Sequence, residues 1–305
     1  MAIRIGTRGS KLALWQAEWV SQQLISRGCE VELKIISTTG DTSTASLSQV
    51  GGQGVFTKEI QRELLAENVD VAVHSLKDLP TEVIEGLTIA AVPPRETTRD
   101  CLVSKDGEKL LNLESGARIG TGSLRRGSQI LAWRSDVEIA DIRGNVDSRL
   151  RKLEEGQYDA IVLAAAGLTR LKLTEHITEH LPQDKILPAI GQGALGLECR
   201  SEDSETHAAL SKLNDSPSYW AVGAERSFLA SLLAGCLAPV AALATISGEQ
   251  LTLHGRVIAR DGSKVVEGEH SGKPEDAKQI GEALADKLRT EGAAELIAAA
   301  RDSLK

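Results

Sequence analysis

The sequence predicts an α/β protein with a small α+β segment at its carboxyl end. Three observations carry this. Short β-branched runs alternate with amphipathic helical stretches from residue 3 to residue 171, the alternation that builds parallel sheets with crossover helices. Polar clusters follow the ends of several of those runs, where open α/β sheets bind ligands. Beyond residue 240 the pattern changes to strands in succession and then two alanine-rich helices.

In chain order, Ile3, Arg4, Ile5 and Gly6 read as a first strand, and Ser10 as the N-cap of a helix. Leu12, Leu14, Trp15, Trp19, Val20 and Ile25 recur at helical spacing up to Gly28. Between strand and helix lie Thr7, Arg8, Gly9 and Ser10, either an anion site at a helix N-terminus or a plain capped turn. Residues 31–36 form a second strand. Residues 39–54 are rich in Gly, Ser and Thr and long for a structureless connection, so a mobile lid is expected. A phosphate-cradling loop competes, but the G-K-[ST] ending is missing. Residues 56–67 form an amphipathic helix.

The chain is organised around residues 69–80, V-D-V-A-V-H-S-L-K-D-L-P. Val69, Val71 and Val73 suit a buried strand, and Pro80 forbids a following central strand. Ser75, Leu76, Lys77 and Asp78 lie between. Lys77 and Asp78 either hold one another charged in a desolvated crevice or form a stray ion pair in a solvated loop.

Residues 87–92 and 101–104 are strands separated by Pro93, Pro94, Arg95 and Glu96, a crossover to a second unit. That unit reads strand 118–121, helix 123–133, strand 137–142, helix 146–154, strand 159–164 and helix 165–171. Strand 195–199 and helix 205–213 return the chain to the first domain. One long helix, 217–234, is broken by Gly235. Strands near 240–246, 251–258 and 265–269 precede two helices within 274–301, separated by Gly292.

Composition narrows the function. In 305 residues, 41% are hydrophobic and 26% charged, which describes an ordinary globular protein. Only 3% are aromatic and the net charge is -8, which argues against stacking on single-stranded nucleic acid and against phosphate-backbone binding. The longest apolar runs are too short for a bilayer, and the N-terminus has no apolar signal core. Cytoplasm is the expected location. The four cysteines Cys29, Cys101, Cys199 and Cys236 are widely spaced, so neither a disulfide framework nor a metal site is expected.

Seven arginines fall between residues 118 and 151 of this acidic chain. Arg125 and Arg126 stand in the first turn of a helix behind Thr121, Gly122 and Ser123, where two cations oppose the helix dipole. Arg143 precedes Gly144 and Asn145 at another strand-to-helix turn. Guanidinium forks there suit carboxylate or phosphate; the competing explanation is a solvated basic surface. Arg151 is assigned to the outer face of its helix. Residues 191–196, G-Q-G-A-L-G, match a dinucleotide fingerprint but run into a strand instead of a helix. His176, Glu179 and His180 fit the H-x-x-E-H pattern in a polar segment ended by Pro182, and are read as a surface pair.

The order of eight motifs is more specific than any one of them: T-R-G-S-K-L-A-L-W-Q (7–16), V-G-G-Q-G-V-F-T-K-E (50–59), A-V-H-S-L-K-D-L-P (72–80), G-T-G-S-L-R-R (120–126), R-G-N-V-D-S-R-L (143–150), A-A-A-G-L-T-R-L (164–171), G-Q-G-A-L-G-L-E-C-R (191–200) and A-G-C-L-A-P-V (234–240). With them the chain resembles the hydroxymethylbilane synthase, or porphobilinogen deaminase, family over essentially its whole length. The resemblance implies two lobes similar to type II periplasmic binding proteins plus a small α+β domain, with boundaries at 1–95 with 194–214, 99–190 and 216–305.

It further implies a transferase that condenses porphobilinogen into hydroxymethylbilane, releasing ammonia at each step; nothing in the sequence demands more than a monomer. The primer is a dipyrromethane cofactor held by a thioether, here to Cys236; without the resemblance a buried core thiol would be the reading of that residue. Asp78 matches the catalytic carboxylate and also touches the cofactor. Lys77, Thr121, Ser123, Arg125 and Arg126 would hold the cofactor's carboxylates. Arg8, Ser10, Arg143, Arg149 and Arg170 would hold substrate and growing chain, with Ser75 sharing that work. The lid departs from many family members in carrying Gln49 and Gln53 in place of lysines, and Gly122 replaces a serine. A reading of another class, a non-catalytic bilobal module for a small polyanion, fits the arginines but leaves the Cys236 motif and Asp78 without a purpose. A nucleic-acid binder is opposed by the charge.

Overall fold

The computed structural model describes residues 2–37, 57–233 and 238–302. The expected lid, with Gln49 and Gln53, and the Cys236 motif through Leu237 lie outside the described residues.

The first lobe begins with β1 (Ile3–Thr7), α1 (Lys11–Ile25) and β2 (Val31–Ile35), and continues with α2 (Lys58–Leu65), β3 (Val71–Ser75) and β4 (Leu87–Ala91). Its sheet has the order β2-β1-β3-β10-β4, where β10 (Leu195–Arg200) comes from the far side of the second lobe. β1 runs parallel to β2 and β3, while β10 is antiparallel to β3 and β4. Ile5, Val71, Val73 and Leu197 are sealed beneath α1 through Ala17, Val20 and Leu24. The helix starts where Ser10 Oγ accepts from the Ala13 N–H, as a capping serine should.

The second lobe repeats the plan. β5 (Asp100–Ser104), β6 (Arg118–Gly120), α3 (Leu124–Trp133), β7 (Glu138–Ala140), α4 (Val146–Glu154), β8 (Ala160–Ala164), α5 (Ala165–Leu171) and β9 (Glu179–His180) follow one another. The sheet order is β7-β6-β8-β5-β9. β5 plays here the part that β10 plays in the first sheet. Each is the strand on which the chain enters a lobe from the other one, and each lies antiparallel between the third and fourth strands of its host. This is the pair of type II-like lobes that the resemblance implies. The sheets are therefore mixed, where the alternation alone predicts parallel ones: a strand arriving from the neighbouring lobe enters pointing the opposite way.

α6 (Ser204–Ser211) closes the return, and α7 (Ser216–Ser231) opens the α+β domain. There β11 (Val240–Ser247), β12 (Gln250–Ile258) and β13 (Val265–Gly272) form an antiparallel meander under α7, α8 (Ala277–Leu288) and α9 (Ala294–Asp302). Phe228 and Leu284, both 0% exposed, anchor this core. Gly292, at φ 106°, makes the break between the last two helices that the sequence predicts.

Candidate active site between the two lobes

β3 ends at Ser75 and the chain tightens into a single 3-10 turn, Leu76–Asp78. Leu76 is buried, while Lys77 and Asp78 face outward. The turn rests on the second crossover: the Leu76 N–H donates to the Ala194 carbonyl at 3.0 Å. Gly191, at φ +68°, passes so close that a Cβ there would stand 3.0 Å from Leu76 Cβ. Gly193, at φ +86°, brings that crossover against the first one, a Cβ here meeting the Glu96 carbonyl at 2.3 Å. The glycines of G-Q-G-A-L-G thus serve close backbone approach. His176 and Glu179 fall on a 3-10 turn and the start of β9, and the Glu179 carboxylate accepts from the Leu110 N–H. Among the described residues, no group of three or more His, Cys, Asp or Glu side chains is placed to hold a metal.

Across from the turn, β6 ends at Gly120, and Ser123 caps α3 by accepting from the Arg126 N–H. Thr121 is buried, and its hydroxyl accepts from the Ser123 N–H at 3.2 Å. Arg125 and Arg126 are both buried, at 5% and 6% exposure. They converge on Asp100, the first residue of β5, which is 0% exposed. Arg126 Nε and Nη2 donate to Asp100 Oδ1 at 3.0 and 2.7 Å, and Arg125 Nη1 lies 2.8 Å from Oδ2. Burial would raise the Asp100 carboxyl, but the two guanidiniums outweigh it and hold the group well below the usual carboxylate range. Arg125 still has a buried Nε without a hydrogen-bond partner among the described residues.

Lys77 opens onto the same space. Part of its surface is open to solvent, yet the protein packed around its ammonium desolvates it, and the Arg126 and Arg125 charges add to that effect, so it is pulled down to about 8 although Asp78 and Asp100 raise it. Arg149, on α4, is lowered to about 10 by burial first and then by Arg126 and Arg143, against Asp78 and Asp141. Asp78 and Lys77 of the first lobe thereby share one field with Arg125, Arg126, Arg143 and Arg149 of the second. Arg149 Nε donates to the Gly144 carbonyl at 2.8 Å, and Arg143 Nε to Asp141 at 2.9 Å. Lys11, next to the Ser10 cap, reaches Asp147 of α4 at 3.0 Å and ties the two rims together.

The remaining candidates lie around this centre. Ser75 Oγ receives the Gln16 amide at 2.9 Å, which fixes its direction. Arg170, on α5, is buried over the Trp15 ring at 5.8 Å from its centroid and donates to the Gly193 carbonyl. Burial lowers it to about 10. Arg8 follows β1, half-buried. Arg151 is exposed with Glu155 at 3.6 Å, the outer-face position expected of it. Burial pushes the Cys101 and Cys199 thiols up to about 12 and 11, so neither is a ready nucleophile.

Two residues were missed by reading the sequence. Asp100 is the counter-charge that the helix-opposing arginines need; its signal is an acid at the head of an apolar strand. Glu225, 0% exposed on α7, receives Arg95 Nη1 and Nη2 at 2.7 and 2.9 Å and the Gly191 and Ala244 N–H groups. It fastens both crossovers to the C-terminal domain. Its signal is a carboxylate on an otherwise apolar helix face between Ala224 and Phe228.

Among solved structures, a periplasmic substrate-binding protein of an ABC transporter from Coxiella burnetii is 13% identical, with 73% of this chain and 96% of that chain covered at a TM-score of 0.45. Relatives named porphobilinogen deaminase are far nearer in sequence. That of Syntrophotalea carbinolica is 48% identical over 98% of this chain and 96% of its own. Those of Geobacter sulfurreducens and Brevibacillus brevis are 48% and 47% identical over 97% of this chain, with 94% and 96% of their own lengths covered. Residues 3–208 match the family domain described as porphobilinogen deaminase, dipyromethane cofactor binding domain, and residues 219–290 match the porphobilinogen deaminase C-terminal domain. On these matches, which together take in both lobes and the α+β domain, the chain belongs to the porphobilinogen deaminase family.

Proposed function

We propose that the opening between the lobes is where this chain carries out its family's reaction, on a primer joined to Cys236. The reaction polymerises porphobilinogen into hydroxymethylbilane in tetrapyrrole biosynthesis. The observation that carries the assignment is the meeting of Asp78 and Lys77 from one lobe with Arg126 and Arg149 from the other.

The donor set fits a dipyrromethane, whose rings bear acetate and propionate groups. Burial first, and then the crowding of neighbouring cations, depresses Lys77 and Arg149, and a buried Arg125 Nε has no hydrogen-bond partner among the described residues. Bound carboxylates would relieve that crowding with charge-assisted hydrogen bonds. Lys77, Thr121, Ser123, Arg125 and Arg126 hold the primer's carboxylates. Arg8, Ser10, Ser75, Arg143, Arg149 and Arg170 hold those of the incoming porphobilinogen and the lengthening chain. When bound, the primer supplies the pyrrole carbon to which the first unit is joined.

Asp78 works on the incoming unit. As its carbon–nitrogen bond breaks, positive charge spreads into the substrate pyrrole. A carboxylate facing that ring accepts from the pyrrole N–H and opposes the charge, a stabilisation that grows toward the transition state. The amine arrives already protonated, and the same carboxylate can accept from that ammonium, so that the carbon–nitrogen bonding pair leaves with nitrogen as ammonia while Asp78 stays charged. The lobes are residues 1–95 with 194–214 and 99–190, and the third domain is 216–305. The net charge of -8 suits a protein that works in the cytoplasm as a monomer, without nucleic acid.

Intact mass of the purified protein, with peptide mapping across Cys236, tests the assignment. A dipyrromethane mass on the Cys236 peptide is the expected result. An unmodified Cys236 that gains no pyrrole mass on incubation with porphobilinogen would overturn it.

A further inference from the structure

Asp78 sits on a turn with little internal support. Its three residues are closed by one backbone hydrogen bond, Leu79 N–H to the Leu76 carbonyl, at 3.2 Å. On the amino side the Ala194 carbonyl anchors Leu76. On the carboxyl side the chain passes into Pro80, which has no N–H to donate.

The C-terminal domain supplies what is missing. Val222 of α7 packs in a small apolar cluster with Leu76 and Leu79. One helical turn later, Arg226 Nη1 donates to the Leu79 carbonyl at 2.8 Å and Nη2 to the Pro80 carbonyl at 2.7 Å. Two successive carbonyls gripped by one planar fork fix the orientation of the peptide planes that follow Asp78. Desolvation lowers the Arg226 guanidinium, and Glu198, in electrostatic reach, raises it. Even so, these two donors are spent on backbone.

We propose that Arg226 is a positioning residue for the reaction, aiming the Asp78 carboxylate through the Leu79 and Pro80 carbonyls. The inference rests on the role given above to Asp78. α7 ends at Ser231, five residues before Cys236. One helix therefore grips the backbone that follows Asp78 at its middle, and in sequence it runs toward Cys236, the residue proposed above to carry the primer. A misplacement of about 1 Å at such a site costs about 100-fold in rate.

The test compares wild type with Arg226→Lys and Arg226→Met, each first weighed intact to establish that primer is present. Both variants should lose about 10- to 100-fold in kcat with KM within about twofold of wild type. Both should also exchange the Leu79 amide hydrogen faster, a readout independent of turnover. Lysine keeps the charge but cannot bridge two carbonyls, so recovery of normal kcat in Arg226→Lys would overturn the proposal. So would unchanged kcat in Arg226→Met, a loss confined to KM, or an unaltered Leu79 exchange rate. If Arg226→Met does not fold, the lysine variant carries the same readouts. Asp78→Ala is measured alongside. Retained turnover there sinks the role of Asp78, whereas an inactive Asp78→Ala with normal Arg226 variants sinks only the positioning.

Discussion

At the carboxyl end of β1, Thr7 leads through Arg8 and Gly9 to Ser10, the cap of α1; at the same place in the second lobe, β6 leads through Thr121 and Gly122 to Ser123, the cap of α3. The third strands differ more. β3 ends in the Leu76–Asp78 turn, while β8 runs straight into α5 through Ala164 and Ala165. One sheet order thus fixes where side chains converge and leaves open what they are. The first lobe loads its position with a carboxylate and a lysine on a short turn. The second loads its own with arginines in a helix's first turn and balances them with a buried acid on the inserted strand. Asp78 is exposed and lightly held; Arg125 and Arg126 are buried and heavily held.

The largest effect should come from breaking the lightly held side. Asp78→Ala is expected to abolish turnover, a loss of at least about 10²-fold in kcat, with unfolding free energy within about 0.5 kcal/mol of wild type because the residue is exposed. Near-normal bilane formation by that variant would remove Asp78 from the chemistry.

The opposite pattern is expected at Asp100. Asp100→Asn takes the charge from a group that Arg125 and Arg126 both engage and that Gln192 Nε2 also bonds at 2.9 Å. Leaving two buried guanidiniums uncompensated should cost about 3–5 kcal/mol in urea unfolding. A loss under about 1 kcal/mol would mean that the arginine pair does not depend on Asp100.

These two residues also mark what the sequence makes legible. The strand of Val71 and Val73, the stop at Pro80 and the polar residues between are local signals, and the turn lies where they put it. Gly292 likewise breaks the last helices by its own backbone freedom. Arg125 and Arg126 announce themselves by opposing a helix dipole, yet their partner sits 25 residues upstream in sequence and joins them only through β5's insertion beside β8. Glu225 and Arg226 are hidden for the same reason. Their partners Arg95, Gly191, Leu79 and Pro80 lie far away in sequence, and no period along α7 encodes a contact so distant. The antiparallel entry of β5 and β10 is invisible to alternation because pairing direction depends on where the chain comes from.

Arg143 tests the outer edge of the second lobe's load. Its guanidinium is half-exposed beside an exposed Asp141, so Arg143→Leu should change stability by less than about 0.5 kcal/mol. Primer should be retained while elongation slows by about tenfold, the loss of one charge-assisted contact to a carboxylate. Intact masses taken during turnover would then shift toward the shorter chain-bearing species. Unchanged steady-state kinetics would take Arg143 out of the substrate path.

The smallest effect separates the lobes by pH. Lys77 titrates near 8 and Arg149 near 10, so between pH 7 and pH 9 only the first lobe's cation loses its proton. Below 8, Lys77 is charged in both the folded and the unfolded chain, and the folded chain carries the cost of holding that charge partly out of water and among arginines. The cost is relieved as pH rises through 8 toward the ordinary 10.5. Stability attributable to Lys77 therefore increases with pH over the same window in which its hold on a carboxylate declines. Affinity of primer-free protein for a small dicarboxylate should fall by less than about tenfold from pH 7 to pH 9, because about a tenth of Lys77 is still protonated one unit above its midpoint. Lys77→Arg should abolish that fall, since a guanidinium keeps its proton throughout. A pH-independent affinity in wild type would place the carboxylates on the second lobe alone.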